Sequence, residues 1–412
     1  MADLADLYRD LHRNPELSFA EVRTAGIAAQ WLRAAGFETT ERVGRTGVVG
    51  VLRNGDGPTV LLRADMDALP LLERTGLPYA STAHGLDRDG DEVPVTHACG
   101  HDVHVACLLG AARALAADTP SWRGTVLAVF QPAEEIGRGA QAMIDDGLYE
   151  RFGRPEVVLG QHVAPLPAGT LAVRPGTAFA AADALRVVMF GRGGHGSRPE
   201  TTIDPVVMAA ATVMRLQTIV SREIAGTEAA IVTVGSIRAG TKENIVPDRA
   251  ELLISVRSFE PAVRRRTLDA IERIVRSEAA ASGAERDPEV ELFDSFPALV
   301  NDEQAVARTT PALETVVGPG RVFDPGLVTA SEDVGLLASA ASAPCVYWLL
   351  GGADPADFAD APSRSDILAR VAKLPSNHSP QYAPVIEPTL AIGTQTLVAA
   401  ARVWLGAPVT SR

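Results

Sequence analysis

Two patterns of apolar and polar residues recur along this chain. One pattern predicts helices, and the other predicts strands. Apolar residues at helical spacing and in long apolar runs predict helices, at residues 3–13, 18–35, 103–115, 137–146 and 388–405. Short apolar runs bounded by turn residues predict buried strands, at residues 48–52, 59–63, 125–131, 157–163 and 343–350. The turn sequence Asn54-Gly-Asp-Gly57 predicts that the first two strands form a β-hairpin.

The pattern changes near residue 180, at the alanine-rich linker Ala178–Ala182. The order that follows is strand, helix, strand, strand, helix, strand, which is the ferredoxin-like arrangement. Its strands are predicted at 185–190, 230–236, 251–259 and 289–294, and its helices at 205–222 and 261–283. We therefore predict an α/β domain formed by residues 1–180 and 297–412, interrupted by an inserted α+β domain at 181–296.

Residues able to bind a metal recur at the ends of strands in the first part of the chain. Asp65 and Asp67 follow one strand, and the adjacent Glu134 and Glu135 follow another. Buried carboxylates are costly without a cation or another partner, and two adjacent ones repel each other. His162 lies inside a third apolar strand. Each of these residues alone also fits a plainer role, as a loop cap, an acidic helix start or a core histidine.

The stretch Thr96-His-Ala-Cys-Gly-His-Asp-Val-His104 concentrates three histidines, a cysteine and an aspartate within nine residues. Alternate residues of an extended segment point the same way, so Cys99 and His101 could face one ion. Thiolate and imidazole together suit zinc or another late first-row metal better than calcium or magnesium. Two alternatives stay open on the residues alone: a polar loop with a buried cysteine, or a cysteine–histidine nucleophile pair.

Candidate residues in and after the insertion carry weaker signals. Gly191-Arg-Gly-Gly-His-Gly196 matches the dinucleotide fingerprint G-x-G-x-x-G, but no acidic ribose partner follows about 20 residues later. The same glycines could instead hold His195 in an exposed, adjustable loop. Asn244 and Arg257 are polar donors that ordinary surface chemistry would explain, and His378 lies in a turn near the C-terminus.

Composition narrows the class of protein further. The net charge of −13 and the pI near 5.2 argue against a surface that binds nucleic acid or anionic membranes. Three cysteines form no disulfide framework, which fits a reducing compartment. The N-terminus lacks the pattern of a signal peptide, and no apolar run has the length of a spanning helix. We therefore expect a cytoplasmic enzyme.

Seven motifs together resemble the aminoacylase and carboxypeptidase-G type of metallopeptidase. They are Leu11-His-Arg-Asn-Pro-Glu-Leu-Ser18, Arg63-Ala-Asp-Met-Asp-Ala-Leu-Pro70, His97-Ala-Cys-Gly-His-Asp-Val-His104, Gln131-Pro-Ala-Glu-Glu135, Gly194-His-Gly196, Asn244-Ile-Val-Pro247 and Asn377-His-Ser379. The amidohydrolase branch, with hippurate hydrolases, auxin-conjugate hydrolases and N-acyl-amino-acid aminoacylases, is the closer match. The resemblance covers nearly the whole chain. It implies a mixed-sheet catalytic domain around two metal ions, with an inserted lid domain that also forms a homodimer.

The resemblance also implies a role for individual residues. The metal ligands would be five side chains, Cys99, His101, Glu135, His162 and His378. Zinc is the first candidate for the metal. Manganese, cobalt and nickel stay as alternatives, because this chain has Cys99 and Asp65 where other branches have a bridging aspartate and a histidine. Glu134 would be the general base, His195 would stabilise the oxyanion, and Asp67 would orient a ligand. Asn244 and Arg257 would hold the substrate carboxylate.

The implied reaction is hydrolysis of an N-acyl amino acid, or a related amide conjugate, to a carboxylic acid and a free amino acid. The ions would activate a water molecule, and Glu134 would move its proton to the leaving amine. Two rival classes make different predictions. A cysteine hydrolase would survive chelation and be inactivated by alkylation, and a non-catalytic binding protein would bind acyl amino acids without turnover.

Overall fold

The computed structural model describes residues 2–361 and 363–407. The α-helices in this part of the chain are α1 Ala2–Arg13, α2 Val22–Ala34, α3 His101–Ala117, α4 Gly139–Asp145, α5 Leu148–Phe152, α6 Pro205–Thr218, α7 Pro261–Ala281, α8 Glu303–Val317, α9 Val334–Ala341, α10 Arg364–Val371 and α11 Thr389–Trp404. Short 3-10 turns occur at Thr119–Ser121, Pro199–Thr201 and Pro355–Phe358, and a π-turn at Ile219–Glu223. Within the described residues, no helix combines the length and the apolar character needed to cross a membrane.

The strands form one large sheet, a four-stranded sheet and three short pairs. In chain order they are β1 Glu38–Val43, β2 Gly47–Asn54, β3 Thr59–Asp65, β4 His84–Leu86, β5 Glu92–Pro94, β6 Gly124–Gln131, β7 Val157–Pro167, β8 Leu171–Ala172, β9 Gly176–Phe179, β10 Ala181–Phe190, β11 Gly194–His195, β12 Ala230–Ala239, β13 Ile245–Val246, β14 Arg249–Ser258, β15 Glu289–Phe296, β16 Leu299–Asn301, β17 Val322–Phe323 and β18 Cys345–Ala353.

The chain divides into two compact units. Residues up to 178, 300–326 and those from 333 onward form the first unit, and residues 179–299 with 327–332 form the second. The first unit is a mixed α/β structure, and the second is an α+β structure inserted into it. The predicted fold class is therefore confirmed.

The first unit is built on an eight-stranded sheet of order β1-β2-β6-β3-β7-β18-β8-β17. Its central strands β6, β3, β7 and β18 are parallel, so their carboxyl ends meet at one edge. The α3 helix lies in the core with 13 of its 17 residues buried, because its apolar residues are not confined to one face. Its Leu108 and Leu115 join Leu397 of α11 and Val60 and Leu159 of the sheet in one apolar cluster.

The predicted hairpin of residues 48–63 is wrong. The β6 strand lies between β2 and β3, antiparallel to the first and parallel to the second. The turn after Asn54 crosses over the beginning of β6, and the Asn54 amide donates to the carbonyls of Thr119 and Trp122 at 2.6 Å. The apolar strand β6, which is distant in sequence, thus pairs with β2 in the place where the turn sequence predicted β3.

The second unit has the ferredoxin-like sheet order β12-β14-β10-β15, and all its neighbouring strands are antiparallel. Helices α6 and α7 contribute Leu216 and Ile271 to its core, with Leu252 of the sheet. The segment after β10 pairs with β13, and α6 begins only at Pro205, where Asp204 accepts the N–H of Val206. Because no helix follows the glycines directly, the segment does not form the strand-to-helix turn of a dinucleotide site.

Candidate metal centre

The carboxyl edge of the parallel strands gathers the side chains that the sequence singled out in the first unit. Glu134 and Glu135 follow β6, His162 lies on β7, and His101 begins α3. Cys99 precedes that helix through Gly100, whose φ is +86°. A Cβ on Gly100 would approach Val163 Cγ1 to 2.4 Å, so the close packing of this turn requires glycine.

Five side chains converge there in two overlapping groups. Cys99, His101 and His162 form one group, and Cys99, Glu135 and His378 form the other, with the donor atoms of each group within 4.8 Å of one another. Cys99 Sγ lies 3.4 Å from His162 Nε2, and His378 Nε2 lies 3.3 Å from Glu135 Oε2. Cys99 belongs to both groups, which is the arrangement expected of a shared ligand.

The donor set fits a cation. His101 is fully buried, yet neither of its ring nitrogens nor Glu135 Oε1 has a hydrogen-bond partner among the described residues. His101 Nε2 lies 3.7 to 3.9 Å from carboxylate oxygens of Asp65, Glu134 and Glu135, too far for hydrogen bonds. Burial lowers the pKa of His101, but the charges of Asp65, Asp67 and Glu135 outweigh it and raise the pKa to about 10. Such a negative cluster binds either a proton or a metal ion at this position.

Hydrogen bonds fix which nitrogen of each neighbouring histidine is available. His162 Nδ1 contacts the Val163 carbonyl at 2.8 Å and must donate, so the Nε2 lone pair faces Cys99. His104 Nε2 accepts the N–H of Val163 at 2.8 Å, and its Nδ1 donates to Asp65 at 2.5 Å. Both His104 nitrogens are thus engaged away from the group, whereas His162 Nε2 faces Cys99 Sγ, another donor of the same candidate group.

Asp67 organises the two glutamates. Its Oδ1 accepts the N–H of Glu134 and its Oδ2 accepts the N–H of Glu135, each at 3.0 Å. Ser18 donates to Oδ2 at 2.7 Å, and His101 Nδ1 lies 3.4 Å from Oδ1. Burial raises the pKa of Asp67, but His101, Ser18 and the Glu135 N–H outweigh it and keep the pKa below its usual value. One carboxylate therefore fixes the backbone of both glutamates beside His101.

Electrostatics also bear on the alternative of a cysteine nucleophile. Burial, followed by the charges of Glu135 and Glu134, raises the pKa of Cys99 well above its usual value. Burial and His104 lower the pKa of His162 well below its usual value. A nucleophilic cysteine needs the opposite shift, a thiolate stabilised by an imidazolium. The surroundings of Cys99 favour a metal-bound thiolate instead.

The C-terminal turn brings His378 to the site. His378 has a φ of +69°, and its N–H donates to the Ala98 carbonyl at 2.8 Å. The amide of Asn377 donates to the carbonyls of Cys99 and Val163 at 3.0 and 3.1 Å. The His378 side chain remains 56% exposed, whereas Glu135 is 7% exposed. The turn thus presents an accessible imidazole to a buried carboxylate.

Arg63, a buried charged residue that contacts Asp65 beside the site, was not identified from the sequence. Arg63 donates to Asp65, Gln131 and Asp333 at 2.6 to 3.0 Å and is 1% exposed. A charged residue inside the apolar strand β3 is the one signal that could have indicated it.

His195 and Asn244 lie close together in the second unit. His195 on β11 pairs with Ile245 on β13, and the N–H of Gly196 donates to the Asn244 carbonyl at 2.8 Å. The backbone N–H and the hydroxyl of Ser197 contact His195 Nδ1 at 3.1 and 2.8 Å. Because the backbone N–H can only donate, Nδ1 accepts and the ring proton sits on Nε2.

Arg257 lies on β14 of the four-stranded sheet, at the end of that strand far from β13. It follows Arg249 by eight residues (257 − 249) along β14, which corresponds to about 26 Å of extended strand. Its guanidinium donates to Ser331, and burial lowers its pKa, partly offset by Asp183. Within one inserted unit, Arg257 and His195 therefore lie at opposite ends.

Fold and site together define a class of protein. Nitrogen, sulfur and oxygen donors at the carboxyl ends of parallel strands, with a further carboxylate beside them, are typical of metal-dependent hydrolases. The chain belongs to peptidase family M20/M25/M40, whose family model matches residues 61–370. It is a metal-dependent amidohydrolase, and the resemblance found in the sequence is confirmed.

Individual relatives agree with this assignment. Hippurate hydrolase of Campylobacter jejuni is 38% identical over 345 residues, which are 82% of this chain and 85% of that protein. N-acetylcysteine deacetylase of Bacillus subtilis is 37% identical over 302 residues, 73% of this chain and 76% of that protein. The crystal structure of the YXEP protein of Bacillus subtilis, a dinuclear metal binding peptidase from the M20 family, matches with a TM-score of 0.73 and 28% identity, over 98% of this chain and 97% of that chain.

Proposed function

We propose that the protein hydrolyses N-acyl amino acids at a centre of two divalent ions. The relatives named for hippurate, N-acetylcysteine and N-acetyldiaminopimelate all act on an acylated amino group of an amino acid. Ligands to the ions would be Cys99, His101, Glu135, His162 and His378. The mixture of thiolate, imidazole and carboxylate favours zinc, with manganese, cobalt and nickel as alternatives.

The ions would supply Lewis acidity, which activates water and polarises the amide carbonyl. Glu134 would take the proton of the attacking water and return it to the leaving nitrogen. Its position supports this role, because Glu134 Oε2 lies 3.9 Å from His101 Nε2 while the next residue faces His378. The neutral imidazole of His195 would donate its Nε2 proton to the developing oxyanion.

The substrate carboxylate would bind Arg257 and Asn244. In one inserted unit Arg257 lies near the end of β14, whereas Asn244 lies beside β13, before β14 begins, so a small substrate cannot contact both from one copy. A homodimer resolves this if the partner supplies His195 and Asn244. The edge strand β12 and helix α6 support such an interface, because Ile237 and Met214 are 53% and 72% exposed.

Three free cysteines support a cytoplasmic location for the protein. The acidic composition disfavours nucleic acid as a partner, so we propose a small-molecule substrate.

The convergence of five donor side chains from distant parts of the sequence is the observation that carries the proposal. Its test is the release of free amino acid from a panel of N-acetyl and N-benzoyl amino acids by wild type and Glu134→Gln. The variant should bind metal and fold as wild type does while losing turnover. Unchanged turnover would remove Glu134 from its role, and turnover that resists chelators but not alkylation would favour the cysteine hydrolase.

A further inference from the structure

The N-terminal segment lies outside the region that the family model matches, residues 61–370, yet three of its side chains point toward the metal centre. His12 contacts Asp102, the neighbour of His101, at 2.7 Å. Ser18 donates to Asp67. Glu21 accepts the N–H of Ala133, the residue before Glu134, at 2.8 Å.

Glu21 is a buried carboxylate with no part in the reaction described above. It is 0% exposed and directly precedes helix α2. Its Oε1 accepts the N–H groups of Phe19 and Ala133, and its Oε2 accepts the hydroxyl of Thr46 at 2.5 Å. Burying a carboxylate is costly unless several donors satisfy it.

Glu21 acts on a strained point of the backbone. Ala133 has a φ of +49°, a left-handed conformation that is unfavourable for a residue with a Cβ. The N–H groups of Ala133, Glu134 and Glu135 are consecutive, and two carboxylates, Glu21 and Asp67, accept all three. This turn decides where Glu134 and Glu135 point, so losing one anchor would free the turn to relax.

We infer that Glu21 is a positioning residue for Glu134: it holds Ala133 in the left-handed conformation that aims the Glu134 carboxylate at the reacting water. This inference rests on the proposed role of Glu134. Glu21 is not one of the proposed ligands of metal or substrate, and it acts through the backbone of the turn. Asp67 accepts the next two N–H groups, from Glu134 and Glu135, so Glu21 is the carboxylate that anchors Ala133.

The test compares Glu21→Ala, Glu21→Gln and Glu21→Asp in the full-length, metal-loaded enzyme. Glu21→Ala removes the acceptor and should lower kcat by about tenfold to a hundredfold, since a shift of about 1 Å at a catalytic group has this effect. KM should stay within about twofold of wild type, because the proposed substrate contacts do not change. Metal content should also stay within about twofold, because the N–H of Glu135 keeps its bond to Asp67. Glu21→Gln keeps a carbonyl oxygen for the two N–H groups and should restore most of kcat. Glu21→Asp keeps the charge but is one methylene shorter, and it should lose kcat as Glu21→Ala does.

Two further variants make the result unambiguous. Thr24→Ala, one turn along α2, removes a buried hydroxyl without a partner among the described residues and controls for destabilisation of the helix; its kcat should equal that of wild type. Glu134→Gln separates the two hypotheses, because its full activity would overturn the proposed function itself. If Glu134→Gln is inactive while a folded Glu21→Ala or Glu21→Asp keeps wild-type kcat, only the inference about Glu21 is wrong. Loss of kcat in Glu21→Gln equal to that in Glu21→Asp would also overturn it.

Discussion

Among the residues that are not proposed ligands of metal or substrate, Asp67 should affect stability and metal affinity most when it is replaced. Asp67→Asn tests this with a change of one heavy atom. Both oxygens of Asp67 accept a backbone N–H at 3.0 Å, from Glu134 and from Glu135. Asparagine has one carbonyl oxygen and one NH₂ group, so one of the two N–H groups must face a donor. Reversing the side-chain amide only changes which glutamate loses its partner.

The size of the effect follows from these contacts. A buried N–H without a partner costs about 1–3 kcal/mol, and a bond to a charged acceptor is worth about 1.5–3 kcal/mol. We therefore expect Asp67→Asn to lower the free energy of unfolding by about 2–4 kcal/mol. Because Asp67 also lies 3.4 Å from His101 Nδ1, the affinity for metal should fall by about 10- to 100-fold.

Urea unfolding of the metal-free protein measures the first quantity, and titration of the stripped protein with metal measures the second. Ser18→Ala is the matched control, because it removes one donor to Asp67 and leaves both backbone bonds intact. Its loss of stability should be about 1 kcal/mol. Wild-type stability and metal affinity in Asp67→Asn would refute the reasoning that the carboxylate organises the turn.

Three other predictions concern the rest of the structure. Burial lowers the pKa of His12, but Asp102 and Glu73 outweigh this effect and raise the pKa to about 10. The protonated His12 therefore stabilises the fold fully below about pH 6.5, and this stabilisation is lost as the pH rises to about 10. Between these pH values the free energy of unfolding, measured in urea, should fall further in wild type than in His12→Gln, by on the order of 3–5 kcal/mol; parallel curves would contradict this. If His195 acts across a dimer, mixing inactive Glu134→Gln with inactive His195→Ala should restore about a quarter of wild-type activity. Half of the dimers are then mixed, and each mixed dimer has one intact site out of two. No recovery of activity would place His195 in the site of its own subunit. If the protein forms the proposed homodimer, Met214→Glu should convert it to a monomer in sedimentation and lower turnover; an unchanged dimer would exclude α6 from the interface.

The sequence predicted those parts of the fold and site that depend on local patterns. The apolar patterns located α3, α6, α7 and the central strands, and the motifs contained the five side chains that converge in the two overlapping groups around Cys99. The Asn54–Gly57 turn failed because the strand that pairs with β2 comes from 70 residues further on, and local turn chemistry carries no information about it.

The missing parts of the site are long-range contacts. Glu21 reaches Ala133 across 112 positions, and Arg63 reaches Asp333 across 270. A single sequence shows that these residues are charged but not which partners bury them. The tautomers of His162 and His195 were also out of reach, because a carbonyl and an N–H of the folded backbone determine them.

Metal reconstitution tests the central claim most directly. Protein stripped with a chelator should lose the release of amino acid from its best N-acyl substrate, and added zinc, manganese, cobalt or nickel should restore it. Elemental analysis of the restored enzyme should give two ions per chain, and Cys99→Ser or His378→Ala should lower that number. Full turnover by protein that analysis shows to be free of metal would contradict the account.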